Sequence, residues 1–167
     1  LTPLERRVAT GFFERFLSLA LEQDPAARFE RLVRHLGGYG LVRLDLVPLF
    51  ATLLSLPTDE RFPSLRLPPV REREETFRAL VEWLRAYSER RPVLFVVEDL
   101  HWADASTLEF LQQLFAEDLQ DKILTVATFR TEFRPPWPAT AHQTSLALTS
   151  LTQRQVADLM GKKTGRA

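Results

Sequence analysis

Two short stretches of the sequence carry the side chains that could do phosphate chemistry. Glu98 and Asp99 directly follow the apolar run of residues 93–97, and Arg130 comes just after a second apolar run, residues 122–128. Both runs are rich in β-branched residues and lack polar alternation, which is typical of strands buried on both faces of a parallel sheet. Ligands of such sheets bind at the carboxyl ends of the strands, so we expect the three side chains to face one crevice.

These three side chains match the needs of nucleoside-triphosphate hydrolysis. Carboxylate oxygens are the ligands that Mg²⁺ prefers, and an adjacent carboxylate can orient or deprotonate an attacking water. A guanidinium can stabilise the charge that develops on a terminal phosphoryl group. An apolar strand that ends in two acids has the form of a Walker B motif. Taken alone the motif is weak, because apolar strands also end in acids for structural reasons, such as capping the next helix.

The rest of the chain predicts the elements that must position this site. Apolar residues recur at helical spacing after the helix-start signal Thr2-Pro3, and the second half alternates strands with helices. This order predicts an α/β fold with a mainly parallel sheet and a helical N-terminal half. Residues 57–69 are expected to form an ordered, Pro-rich connector, and residues 129–144 a long loop. The predicted helices are 2–19, 25–36, 46–56, 70–89, 105–118 and one that starts at 152; the predicted strands are 93–97, 122–128 and 145–148.

Composition excludes several classes of protein. The 167 residues contain 22 Lys+Arg, 22 Asp+Glu and no cysteine, so disulfides and thiolate metal sites are excluded. The formal net charge of zero does not favour nucleic-acid binding. No apolar run approaches the roughly 18 residues of a membrane span, and Leu1-Thr2-Pro3 does not begin a signal peptide. We therefore expect a cytoplasmic location, and the missing initiator Met suggests a piece of a longer product.

Residues 97–111, VEDLHWADASTLEFL, resemble the Walker B segment of the STAND class of P-loop ATPases, relatives of AAA+ and origin-recognition ATPases. The stretch from Leu46 to Leu84, the segment TVATFRTEFRPPW and the segment LALTSLTQRQVADLM are also similar to that class, in its order and spacing. The resemblance covers about residues 40–160. It implies a partial P-loop NTPase fold of three layers, with residues 1–92 as a helical region, 93–150 as the α/β core and 151–167 as the start of a helical lid.

The resemblance also implies roles for individual residues. Glu98 takes the Mg²⁺-side acid, Asp99 the acid that polarises water, and Arg130 the sensor-1 arginine that reaches the γ-phosphate. Many members have Asp at the first position, so the division of labour between Glu98 and Asp99 stays open. Asp104 matches the aspartate of a Trp-Ala-Asp sequence found in the class. It could contact nucleotide or simply cap the next helix. We expect Trp102 to be a packing residue that shapes the crevice.

The remaining candidates are weaker. His101 has no His or Cys partner at metal-ligand spacing, and His35 and His142 are equally isolated. Arg134 and Trp137 lie in the long loop, where surface or packing roles are the simpler interpretation. None of these residues is predicted to belong to the site.

The phosphate-binding half of an ATPase site is not in this sequence. No Gly-x-x-x-x-Gly-Lys-Ser/Thr motif is present, and the segment from Gly161 to Thr164 lacks the required first glycine and places Lys where Ser/Thr belongs. In the class this motif precedes the region that matches the chain. We therefore expect the 167-residue chain alone to neither bind ATP tightly nor hydrolyse it. We also expect an exposed sheet edge or apolar face, marginal stability and self-association.

Two functions fit these observations. The first is a fragment of a signal-transduction ATPase whose parent uses ATP, Mg²⁺ and slow hydrolysis as a conformational switch. In the class such a switch acts on an attached class III nucleotide cyclase, LuxR-type or tetratricopeptide domain. The second is a non-catalytic interaction or scaffold module that retains a degenerate P-loop NTPase fold. Neither involves a membrane or direct nucleic-acid binding by this region.

Overall fold

The structure is a computed structural model that describes residues 24–116, 122–139 and 142–149, together with Gln153 and Val156. The chain divides into two compact units, residues 1–137 and 138–167. The helix predicted at residues 2–19 lies outside the described residues, as does most of the helix predicted from residue 152. Within the first unit the described elements are α1 (Pro25–Gly37), α2 (Val47–Leu53), α3 (Pro69–Arg90), β1 (Val93–Val97), a 3-10 turn (Leu100–Trp102), α4 (Ala105–Ala116) and β2 (Ile123–Ala127).

Local sequence signals explain where the helices begin. The Asp24 carboxylate accepts hydrogen bonds from the backbone N–H groups of Ala26 and Ala27 at 3.3 and 3.1 Å, and Pro25 occupies the first turn of α1. Helices α2 and α3 also carry proline in their first turns. Helix α2 is shorter than predicted at both ends. The predicted bounds of α1 and α3 agree with the structure within two residues, and α4 begins where predicted, at Ala105; its end borders residues outside the described range.

Helices α1, α2 and α3 surround a dense apolar core. Leu32, Leu36 and Val47 are fully buried, and Trp83 of α3 is only 4% exposed. The connector between α2 and α3 is ordered, as predicted, and its Phe62 packs edge-on against Phe29 of α1. The core continues toward the strands through buried side chains of α4 and the turn before it: Leu100, Leu111 and Leu114.

Strands β1 and β2 form a parallel two-stranded sheet, which confirms the coarse α/β prediction. Val93 pairs with Ile123, and the register continues to Val97 opposite Ala127. The 3-10 turn and α4 connect the two strands. Phe110 of α4 packs against both Phe95 of β1 and Phe77 of α3, so α4 covers one face of the sheet and joins it to the helical core.

The other face of the sheet is exposed, so the prediction of strands buried on both faces is wrong within the described chain. Both strands alternate between half-buried and exposed residues. The outward residues are apolar: Leu94 is 63%, Val96 52%, Leu124 64% and Val126 41% exposed. We call these four residues the open face. An exposed sheet edge or apolar face was also expected from the sequence, and the open face agrees with the second of these.

The second unit lacks the strand predicted at residues 145–148. Its described residues 143–149 have no regular secondary structure, and Leu146 and Leu148 are 83% and 92% exposed. Four residues with two leucines carry the same local signal as a short strand, but a strand also requires a paired neighbour. Across the described residues, no helix combines the length and apolar character of a membrane span.

Candidate functional site

Three hydrogen bonds donated by backbone N–H groups join the ends of the two strands. The carbonyl of Val97 accepts from the N–H of Thr128 at 2.9 Å, which extends the ladder by one residue. The N–H of Asp99 donates to the Thr128 hydroxyl at 3.0 Å, and the N–H of Leu100 donates to the Thr128 carbonyl at 2.8 Å. The segment that carries the two acids is therefore fixed to the segment that leads into Arg130.

Asp99 turns the chain away from the strand direction. It has a left-handed backbone (φ 54°, ψ 44°) and immediately precedes the 3-10 turn. Residues other than glycine adopt this conformation rarely, and Asp and Asn are among those that tolerate it best. Such strain concentrates at functional sites, where the surrounding structure holds it in place. Here the hydrogen bond to Thr128 and the ladder of β1 provide that support.

The three predicted catalytic residues lie at this one edge, and all three are exposed. Glu98 and Asp99 follow β1, and Arg130 lies three residues after β2. Among the described residues, no ion pair joins Arg130 to either acid. Its guanidinium instead lies over the Trp102 ring, 5.9 Å from the ring centroid. The two carboxylates thus remain accessible to a cation, and the guanidinium remains accessible to an anion.

Asp104 caps helix α4. Its carboxylate accepts a hydrogen bond from the N–H of Thr107 at 2.7 Å, and its carbonyl accepts from Leu108 at 3.1 Å. This is the arrangement of a side-chain N-cap, one of the two roles considered from the sequence. The capping role explains an acid at this position; a contact with nucleotide stays a prediction.

The expectation that Trp102 is a packing residue that shapes the crevice is wrong as to its packing. Its side chain is 75% exposed, and its ring contacts are with His101 (5.3 Å between centroids) and with the guanidinium of Arg130. The left-handed turn at Asp99 and the 3-10 turn direct it outward, while Leu100 takes the buried position. Both ring nitrogens of His101 are buried, and neither has a hydrogen-bond partner among the described residues, a feature that buried polar groups seldom show.

The described residues contain no group of three or more His, Cys, Asp or Glu side chains that could hold a metal ion by themselves. A pair of carboxylates is still a suitable donor set for Mg²⁺, which keeps several waters and takes other ligands from phosphate oxygens. Glu98 and Asp99 fit that partial role.

The role of Thr128 was not predicted from the sequence. Its hydroxyl fixes the Asp99 backbone, and the available signal was its position as the first residue after β2. Nor was the contact predicted between Trp83 and His35, whose Nε2 accepts the indole N–H at 3.1 Å. Those residues are 48 positions apart, on two helices, so no local spacing reveals the pair.

Comparison with known proteins finds similarity over less than half of the chain and no family match. An uncharacterized protein of Rhizobium meliloti (strain 1021) is 34% identical over 79 residues, which is 47% of this chain. No protein-family model matches the chain, and no solved structure matches it significantly. The matched segment spans 8% of the length of that relative, which is therefore a much longer protein.

Proposed function

We propose that this chain is part of a signal-transduction ATPase of the STAND class, with a three-layer P-loop NTPase fold that the rest of the parent protein completes. In this proposal Glu98 and Asp99 bind Mg²⁺ and polarise the attacking water, and Arg130 contacts the γ-phosphate. Asp104 lies beside the nucleotide while it caps α4. The parent is cytoplasmic and couples slow ATP hydrolysis to an attached output domain such as a cyclase, a LuxR-type domain or tetratricopeptide repeats.

One observation supports this proposal above the others. The hydrogen bonds of Thr128 hold the acid pair of one parallel strand against the strand end that leads to the arginine. In open α/β sheets this carboxyl edge is where ligands bind. The separation of Arg130 from both acids leaves each charge able to serve a Mg²⁺-triphosphate, since a direct ion pair would neutralise both.

The test is ATP hydrolysis by the full natural polypeptide that contains residues 1–167. Asp99→Asn should lower kcat by about a hundredfold or more, the range of a general base, and Arg130→Ala by about a thousandfold. Glu132→Gln and Arg134→Ala are the matched controls, because both are exposed residues of the adjacent loop. They should leave kcat within about twofold.

Two results would contradict the proposal. One is a full polypeptide that turns over ATP equally well with and without Asp99 and Arg130. The other is measurable turnover by residues 1–167 alone, abolished by Asp99→Ala, because that would show that no separate phosphate-binding segment is needed. A sequence upstream of Leu1 with a strand followed by Gly-x-x-x-x-Gly-Lys-Ser/Thr would agree with the proposal.

The second candidate is a non-catalytic interaction module, and the exposed apolar residues favour it. The open face and the 75% exposed Trp102 place large apolar side chains of the first unit in water. Exposed clusters of this kind commonly mark interaction sites. Full-length protein that binds no ATP but retains its fold would favour the module.

A further inference from the structure

The open face is a regular array of aliphatic side chains. The parallel register pairs Leu94 with Leu124 and Val96 with Val126, so the four side chains form two adjacent rows of leucine and valine. All four are more than 40% exposed. Isolated exposed apolar residues are common on proteins, but four neighbours on one flat face are not.

Opposite charges border this array at opposite ends. Side chains alternate between the two faces of a strand, so Glu98 shares the face of Leu94 and Val96, and Lys122 shares the face of Leu124 and Val126. Lys122 immediately precedes β2 and Glu98 immediately follows β1, and both residues are exposed. Neither forms an ion pair with another of the described residues. The face therefore has a basic end and an acidic end.

From this pattern we propose that the open face binds a second copy of this chain, face to face, with the strands of the two copies antiparallel. A two-fold axis perpendicular to the strands stacks the leucine and valine rows of one copy on those of the other. It also places Glu98 beside Lys122 of the partner subunit, and symmetry makes this ion pair twice. A two-fold axis along the strands would instead bring like charges together at both ends.

Charge and size indicate how strong this association is. The chain has a formal net charge of zero, so two copies do not repel each other overall. Four aliphatic side chains are fewer than the roughly 20 residues a side of a stable interface. We therefore expect a weak dimer, with a dissociation constant on the order of 100 µM. The proposal concerns residues 1–167 and does not rest on the ATPase function, because it requires no nucleotide.

The experiment is sedimentation equilibrium of residues 1–167 between about 10 µM and 1 mM, a range chosen to bracket that constant. The wild-type chain should dimerise reversibly. Lys122→Glu and Glu98→Lys, each alone, should raise the dissociation constant about tenfold, since each replaces two attractive pairs by two repulsive ones. An equimolar mixture of the two variants should associate again, because every cross-copy pair is then of opposite sign. A mixture that stays monomeric, like the separate variants, would refute the antiparallel geometry.

A matched pair of leucines distinguishes specific binding at the open face from nonspecific association of the chain. Leu94 and Leu44 are 63% and 65% exposed, but only Leu94 lies on the open face. Leu94→Lys should abolish the dimer and Leu44→Lys should preserve it, with circular dichroism to confirm that both variants are folded. Intermolecular nuclear Overhauser contacts between labelled and unlabelled copies should involve the methyl groups of the open face. A monomeric wild-type chain at 1 mM, or equal effects of the two lysine substitutions, would overturn the proposal.

Discussion

The helical region α1–α3 and the two-stranded sheet differ in how far their apolar residues are buried. In the helical region leucines such as Leu32 and Leu36 are fully buried, and the covering elements are all supplied by neighbouring residues of the same chain. In the sheet one face is covered by α4, while Leu94 and Leu124 on the other face are more than 60% exposed. The same residue type is core in one region and surface in the other.

The difference follows from geometry. An amphipathic helix buries one stripe and is complete once a single neighbour covers that stripe. A parallel strand has two apolar faces, and each needs its own covering layer. The helical region therefore reaches a closed core with the described elements, whereas the sheet region requires something more on its open face. The proposed second copy and the proposed remainder of an ATPase parent are two ways to meet this requirement.

The largest expected effect is a difference in the free energy of unfolding between identical substitutions in the two regions. Leu36→Ala should lower the free energy of unfolding by about 3 kcal/mol, because it leaves a cavity in the closed core. Leu94→Ala should change it by less than about 0.5 kcal/mol, because the removed side chain is mainly exposed. Urea unfolding at a low protein concentration measures both. Similar losses for the two variants would mean that the open face is covered in the monomer.

A smaller effect is expected at the start of α4. Asp104→Ala should lower the free energy of unfolding by about 1 kcal/mol, because it removes the hydrogen bond to the Thr107 N–H, whereas Asp104→Asn should be nearly neutral. Hydrogen exchange should show faster opening at the first turn of α4 and unchanged protection in α1 and α3. Equally faster exchange in α4 and in the helical region would contradict the idea that Asp104 acts on the stability of α4 in particular.

The smallest effect is a pH dependence that arises in the helical region. Burial lowers the pKa of His35 below its usual 6.5, and its Nε2 must be unprotonated to accept the Trp83 indole N–H. The ring also neighbours Tyr39, which in turn contacts Tyr87 and lies beneath the guanidinium of Arg90. Stability is therefore complete above pH 6.5 and decreases as the pH falls below 6.5, until the folded-state pKa is passed.

The measurement is urea unfolding at several pH values between 7.5 and about 5, the range in which histidine titrates. His35→Gln should flatten this part of the profile, since glutamine keeps an acceptor for the indole and does not titrate. His142→Gln, at an exposed histidine of the other compact unit, is the control and should retain the wild-type slope. An unchanged slope in His35→Gln would assign the pH dependence to other groups.

Much of the local structure could be predicted from the sequence, because the signals are local. Helical spacing and proline positions located α1, α2 and α3, and two β-branched runs located β1 and β2. The parallel pairing followed from the helix between them. The meeting of Glu98 and Asp99 with the strand end before Arg130 followed in turn, because parallel strands end at the same edge.

What could not be predicted depends on what covers a residue rather than on the residue itself. The run of residues 93–97 is equally apolar whether one or both faces are covered, so the exposure of Leu94 is not encoded locally. Trp102 was expected to pack, but the backbone turn at Asp99 directs it outward. The leucines at 146 and 148 resemble a strand, yet the described part of the second unit offers no partner.

The left-handed conformation of Asp99 also limits which replacements the position can accept. Glycine, asparagine and aspartate tolerate that backbone, whereas β-branched and bulky residues do not. Only aspartate among the three also carries a charge that could bind Mg²⁺ or activate water. If the proposed hydrolysis were lost in a lineage, this residue would therefore be expected to change first to asparagine or glycine, which keep the turn without the carboxylate.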